Sequence, residues 1–303
     1  MNRYKKYYVI SIISLFTIFM SIYIYIGHVT YDIFINKNND SRLDEMIYVS
    51  QDKIEESNRW YEKYSKSVEI TSKDGYKLKG SYINQGSSLC VLVVHGYRND
   101  KNYMLSQVKQ FVRLGYDVMA IDLRGHGESD GSFIGLGVYD CQDIQLWIEY
   151  IKDMNKSRHI VLYGVSMGAV SLLNHSYDNV LCVVSDSSYD DLYHLYHHHS
   201  MIHPLIERFI ISTLRFTVLY KNHYDIYQSS PITNIINTKT PILYIHGTYD
   251  SIVPIEHMYN LYNQTSSKKE YYIVRERHGE CFKDKKYFKK ISYFIKRCLM
   301  DKK

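Results

Sequence analysis

Ser166 stands at the centre of Gly164-Val165-Ser166-Met167-Gly168, directly after the apolar run His159 to Tyr163 and before a helical stretch near 167–175. A serine with glycines two residues before and two after, at the end of a strand, marks a sharp strand-to-helix reversal that strains the serine backbone and leaves its Oγ exposed. The chemistry that suits such a hydroxyl is attack on an acyl carbon. A serine hydroxyl is a weak nucleophile, so it needs a base within hydrogen-bond reach and a carboxylate that orients the base. Both are present in the order Ser, Asp, His. Asp250 follows the run Pro241 to Ile245, within His246-Gly247-Thr248-Tyr249-Asp250-Ser251-Ile252-Val253-Pro254, and His278 follows the run Tyr271 to Val274.

The candidate catalytic residues are therefore Ser166, Asp250 and His278, with Gly164 and Gly168 shaping the turn. A tetrahedral intermediate also needs donors for its oxyanion, usually two backbone N–H groups. Met167, next to the serine, supplies one candidate, and Tyr97 of His95-Gly96-Tyr97, beyond the run Leu89 to Val94, supplies the other. Two alternatives stay open at this point. His95 competes with His278 as base, though its place on the oxyanion loop favours a structural role. Asp186, beyond the run Val180 to Val184, competes with Asp250 as the orienting acid.

These residues must be held by the elements around them. Val68 to Ile70 and Tyr76 to Ile83 flank Asp74-Gly75 and predict a hairpin. From Leu89 onward, short apolar runs at 89–94, 117–121, 159–163, 180–184, 241–245 and 271–274 alternate with helical stretches near 102–114, 138–155, 167–175, 255–264 and 283–299. That alternation predicts a largely parallel sheet covered on both faces, with ligand sites at the carboxyl ends of the strands. Residues 187–235 break the alternation and are expected to form a helical cap over the site.

His95-Gly96, then Asp122-Leu123-Arg124-Gly125-His126-Gly127-Glu128-Ser129, the turn at Ser166, Asp250 and His278 together resemble the α/β-hydrolase superfamily. The likeness is strongest to the branch of serine aminopeptidases and monoacylglycerol-lipase-like enzymes, particularly bacterial membrane-anchored members, and it spans roughly residues 68–300. The resemblance implies an α/β fold with an eight-stranded sheet and a cap, no cofactor, and transfer of an acyl group to water through a serine ester. It also implies structural roles for Arg124 and His126. The function expected is a serine hydrolase cleaving an ester, thioester or small amide of a small-molecule acyl substrate. A noncatalytic binding protein of the same fold and an acyltransferase with the same triad are the alternatives.

From Tyr7 to Ile26 the chain carries no charge, and 20 residues at about 1.5 Å each cross a hydrocarbon core of roughly 30 Å. Arg3, Lys5 and Lys6 precede this stretch and no small-residue cleavage site closes it, which predicts an uncleaved signal anchor with the N-terminus cytoplasmic and the rest outside. The expected organisation is an anchor over 1–27, a stalk or docked helix over 28–67, with Leu43, Met46, Ile47, Ile54 and Trp60 as a loose stripe, and one capped domain over 68–303.

Composition narrows the rest. With 303 residues, 45% hydrophobic and 23% charged, the chain is neither disordered nor a disulfide miniprotein. The net charge of +5 gathers at the ends, +7 over residues 283–303 and +3 from Arg3, Lys5 and Lys6, leaving −5 between them. Basic ends around an acidic body argue for a membrane surface rather than nucleic acid. Five cysteines without C-x-x-C spacing predict free thiols. The histidines His194, His197, His198, His199 and His203 lack cysteine or carboxylate partners at ligand spacing, so no metal site is expected. The 32 tyrosines beside only two alanines, Ala120 and Ala169, look like codon bias of an AT-rich genome.

Overall fold

A computed structural model describes residues 3–38 and 51–302. Leu43, Met46 and Ile47 of the expected stripe lie outside the described residues. The chain begins with α1 (Arg3–Phe34) and α2 (Gln51–Tyr64). Helix α2, which carries Ile54 and Trp60, is laid against the body of the protein. Ser57 Oγ donates to Asn102 Oδ1 at 3.0 Å and Tyr61 Oη to the Lys101 carbonyl at 2.9 Å.

Then follow β1 (Lys66–Thr71), β2 (Lys77–Ile83), β3 (Leu89–Val94), α3 (Leu105–Arg113), β4 (Asp117–Ile121), α4 (Asp140–Met154), β5 (His159–Val165), α5 (Met167–Leu173) and β6 (Val180–Asp186). Three helices come next, α6 (Leu192–His199), α7 (Pro204–Asn222) and the single turn α8 (Pro231–Asn234). The chain closes with β7 (Ile242–Gly247), α9 (Ile255–Gln264), β8 (Lys269–Val274) and α10 (Tyr287–Asp301).

The eight strands form one sheet in the order β1-β2-β4-β3-β5-β6-β7-β8. β2 runs antiparallel to both neighbours and the others are parallel. The β1–β2 hairpin turns at Gly75, whose φ of +90° suits a residue without a side chain. Parallel strands buried on both faces read as unbroken apolar runs, and β3 shows why. Its Cys90, Leu92 and Val94 enter the core that contains Trp147 of α4 and Val170 of α5, while Val91 and Val93 enter a second core with Phe111 of α3 and Phe294 of α10. Each fully buried side chain of this size contributes roughly 1.5–3 kcal/mol.

The topology also fixes where a site can form. From β3 the chain crosses to β4 on one side, and from β5 it proceeds to β6 on the other. The carboxyl ends of β3 and β5 therefore flank the point where the connections diverge, and the divergence opens a crevice. The segments that leave those two ends carry His95-Gly96-Tyr97 and Ser166.

Helix α1 is long and apolar enough to cross a bilayer, and none of its most apolar window is buried. It does not stop near Ile26. It continues to Phe34 because its last turns find partners: Tyr31 and the following Ile35 enter the main core, and Gly27 packs against α7 so closely that an added Cβ would stand 2.3 Å from Thr217 Oγ1. Its last carbonyls, which an α-helix leaves unpaired, are taken by the loop after β3. Tyr97 Oη donates to the Phe34 carbonyl at 2.9 Å, and the Arg98 guanidinium donates to the carbonyls of Ile33 at 3.0 Å and Asn36 at 3.1 Å.

Candidate active site

Ser166 leaves β5 at φ +54°, ψ −124°, a conformation that an L-residue holds only when its surroundings enforce it. Two close approaches show what enforces it. A Cβ added to Gly164 would stand 2.7 Å from the Ala169 nitrogen, and one added to Gly168 would stand 2.4 Å from the His95 carbonyl oxygen. Only glycine lets the chain fold back on itself at the first position and meet the loop after β3 at the second. The Ser166 amide donates to the Asp186 carbonyl at 2.8 Å, which ties the turn to β6.

The structure brings Ser166, His278 and Asp250 into one hydrogen-bonded line. His278 Nε2 lies 2.8 Å from Ser166 Oγ, and His278 Nδ1 lies 2.7 Å from Asp250 Oδ2. Asp250 is seated by its own loop, since its Oδ1 accepts from the amides of Ile252 at 3.0 Å and Val253 at 2.8 Å. An aspartate that accepts from amides two and three residues on is a turn signal readable in the sequence. Burial pushes the Asp250 carboxyl up, but the hydrogen bond and charge of His278, with the Val253 amide, outweigh it and hold the group below the usual carboxylate range. A carboxylate at Nδ1 keeps the proton there and leaves Nε2 to accept from the serine.

The loop with the candidate oxyanion donors lies against this line. A Cβ added to Gly96 would come within 3.3 Å of both Ser166 Cβ and the Val165 carbonyl. Tyr97 follows in the same loop, and Met167 follows Ser166 as the first residue of α5.

The two rival residues are engaged elsewhere. His95 is fully buried; its Nε2 accepts from the Leu123 amide at 3.0 Å, which leaves Nδ1 to donate to the Gly96 carbonyl at 2.8 Å. Burial lowers its pKa, so it stays neutral. Asp186 faces α10, where it accepts from Tyr287 Oη at 2.6 Å and from Ser187 Oγ at 2.9 Å, and burial raises its pKa. Tyr287, distant in sequence, gave no warning of this pairing.

The segment Asp122 to Ser129 is a scaffold for the loops. Arg124 forks onto Asp143 at 2.7 and 2.9 Å and reaches Asp74 at 2.9 Å. His126 donates from Nδ1 to the Arg124 carbonyl at 2.9 Å and accepts from the Arg98 amide at 3.2 Å. Asp122 receives Lys101 Nζ at 2.7 Å, and the same ammonium also meets Glu128.

The cap histidines take separate partners. His197 meets Glu207 at 3.1 Å, His199 Nε2 meets the Ile252 carbonyl at 2.6 Å, and His203 accepts from the Leu205 amide at the start of α7. His194 lies 3.4 Å from Asp190, which is already bonded to His257 at 2.6 Å and Asn260 at 2.8 Å. Among the described residues no three His, Cys, Asp or Glu side chains gather as a metal-binding group. The sequence reading missed the Asp190–His257 pair, and His246, whose Nε2 lies 3.4 Å from Asp250 Oδ2.

Comparison with known proteins agrees with this fold. Residues 86–182 match the family model described as serine aminopeptidase. The uncharacterized protein YqkD of Bacillus subtilis is 24% identical over 89% of each chain, and an uncharacterized membrane protein of Saccharomyces cerevisiae is 27% identical over 67% of this chain and 69% of its own. Among solved structures, a Pyrococcus furiosus esterase superposes with a TM-score of 0.64 at 22% identity, covering 82% of this chain and 96% of that one. Acetyl xylan esterase 1 from Thermoanaerobacterium superposes with a TM-score of 0.59 at 16% identity, covering 82% of this chain and 94% of its own. The sheet order, the strained serine at the end of β5 and the superposition on these esterases lead to one assignment: the chain has the α/β-hydrolase fold.

Proposed function

We propose that the protein is a membrane-anchored serine hydrolase that cleaves a carboxylic ester, thioester or small amide. The observation that carries the reading is the line from Ser166 Oγ through His278 to Asp250, at 2.8 and 2.7 Å. Ser166 Oγ attacks the acyl carbon while its proton passes to His278 Nε2, and the Tyr97 and Met167 amides receive the oxyanion. The resulting imidazolium gives that proton to the leaving alcohol, thiol or amine as its bond to the acyl carbon breaks. Water then attacks the Ser166 ester with His278 again as base, releasing the acid and restoring the serine. Asp250 stays ionised throughout and stabilises the imidazolium. The membrane half of the reading rests on α1, whose uncharged stretch from Tyr7 to Ile26 matches a hydrocarbon core of roughly 30 Å. The basic residues before it favour a cytoplasmic N-terminus and a domain on the far side.

Labelling with a fluorophosphonate tests the chemistry, because the reagent phosphonylates an activated serine. The full-length protein should be labelled and Ser166→Ala should not. An unlabelled wild type, or equal labelling of the variant, would end the assignment.

A further inference from the structure

Helix α7 of the cap runs parallel to α1, and the two are in register. The Phe19 and Phe209 rings lie 6.0 Å apart; Tyr23 meets Phe209 at 5.6 Å and Phe216 at 5.9 Å and donates to the Ser212 carbonyl at 2.8 Å; Gly27 abuts Thr213 and Thr217; and Lys221 stands 4.2 Å from the Tyr31 ring. That register makes α1 a ruler for α7. If the hydrocarbon boundary lies at Ile26, Phe19 is about 10 Å inside it at 1.5 Å per residue. Phe209 shares that level, and the first turn of α7 is no shallower. Tyr31 and Lys221 fall beyond the boundary, at headgroup height, where amphipathic side chains are favoured.

The surface chemistry of α7 fits that placement. Leu205 and Ile206 in its first turn are 68% and 55% exposed, Met201 just before it is fully exposed, and Phe216, Leu219 and Tyr220 are exposed further along. The one acidic residue of the helix, Glu207, is buried and turned onto His197, and Arg215 is paired with Asp225. Exposed Arg208 has a side chain long enough to return its charge toward the headgroups.

We propose that α7 is a second membrane-embedded element, its outer face covered by the acyl chains of the leaflet through which α1 leaves the bilayer. The inference rests on α1 spanning the membrane and goes beyond it, because a tether alone asks nothing of the cap. Lipid is the occupant favoured because the exposed apolar face continues the bilayer-facing surface of α1 at the same depth.

The test uses the full-length protein in phosphatidylcholine vesicles brominated on the acyl chains, with three single tryptophan variants read as added emission over wild type. Ile206→Trp reports α7, Phe16→Trp reports the anchor, and Tyr271→Trp on β8 reports the water-facing body. Loss of most of the added emission is expected for Ile206→Trp and Phe16→Trp, and none for Tyr271→Trp. Quenching of Phe16→Trp without Ile206→Trp would overturn the inference while leaving the anchor intact, and if the protein then sediments as a dimer, a second copy covers α7. Quenching of neither would overturn both, and quenching of Tyr271→Trp as well would show immersion not specific to α7.

Discussion

Two sets of histidines line the carboxyl end of the sheet, and they are built in opposite ways. His95 and His126 are buried, stand edge to face at 5.0 Å, and spend both ring nitrogens on backbone groups, one in their own loop and one in the other's. His278 keeps 16% of its side chain exposed and places its nitrogens on two side chains, one of them the strained serine. Burial lowers the pKa of both His95 and His126, taking His126 to about 3, so neither picks up a proton near neutrality. A histidine whose lone pair is committed to a backbone amide can hold a loop but cannot pass a proton. One that faces a hydroxyl and a carboxylate can.

The contrast can be broken or sharpened by substitution. His278→Ala should lower kcat/KM on a short p-nitrophenyl ester by about 10⁵-fold or more, as for removal of a triad base, with a thermal midpoint near wild type. Asp250→Asn should leave the hydrogen bond in place but favour the wrong tautomer, costing about 10⁴-fold in kcat. In His95→Ala the loss falls on stability: the Leu123 amide and Gly96 carbonyl are left without partners in a dry site, at about 1–3 kcal/mol each, measured by urea denaturation. A His95→Ala protein that folds as wild type but loses all activity would reverse the assignment of the two histidines.

The smallest effect is a slope. Burial, with the nearby His95, holds His126 at about 3 in the folded state against 6.5 as the ordinary value. The unfolded chain therefore takes up a proton that the folded chain refuses as pH falls through 6.5. Stability from this group is complete above about pH 6.5 and is lost on acidification toward 3, by up to about 1.4 kcal/mol per pH unit. His126→Gln should be less stable at pH 7 and show a shallower acid dependence, and an unchanged slope would refute the account.

Much of this architecture is legible in the sequence for a physical reason. Strands buried on both faces are unbroken apolar runs, so β3 to β7 stand out, and Gly164 and Gly168 mark a close approach that the structure measures at 2.7 and 2.4 Å. The order of Ser166, Asp250 and His278 at three strand ends suffices to nominate them. Partnerships between distant residues are another matter. Nothing in the run of residues links Tyr287 to Asp186, Asp190 to His257, or Arg124 to Asp143, because burial pattern reports that a polar group is inside and not what satisfies it. The same blindness hides the end of α1, since Tyr31 and Phe34 extend the helix by meeting residues that lie some sixty or more positions away.

The clasp of Tyr97 and Arg98 on the final carbonyls of α1 has a practical corollary. A soluble form cut after Gly27 keeps those carbonyls but holds only residues 28–34 of the helix, about two turns. So short a segment is well below the length at which a helix persists in water on its own. The clasp would then grip a fraying end, and the loop that carries Tyr97, pressed against Ser166, would lose its outer brace. Removing α1 to ease purification would thus loosen the loop beside Ser166, and the full-length chain is the form in which the proposed hydrolysis should be measured.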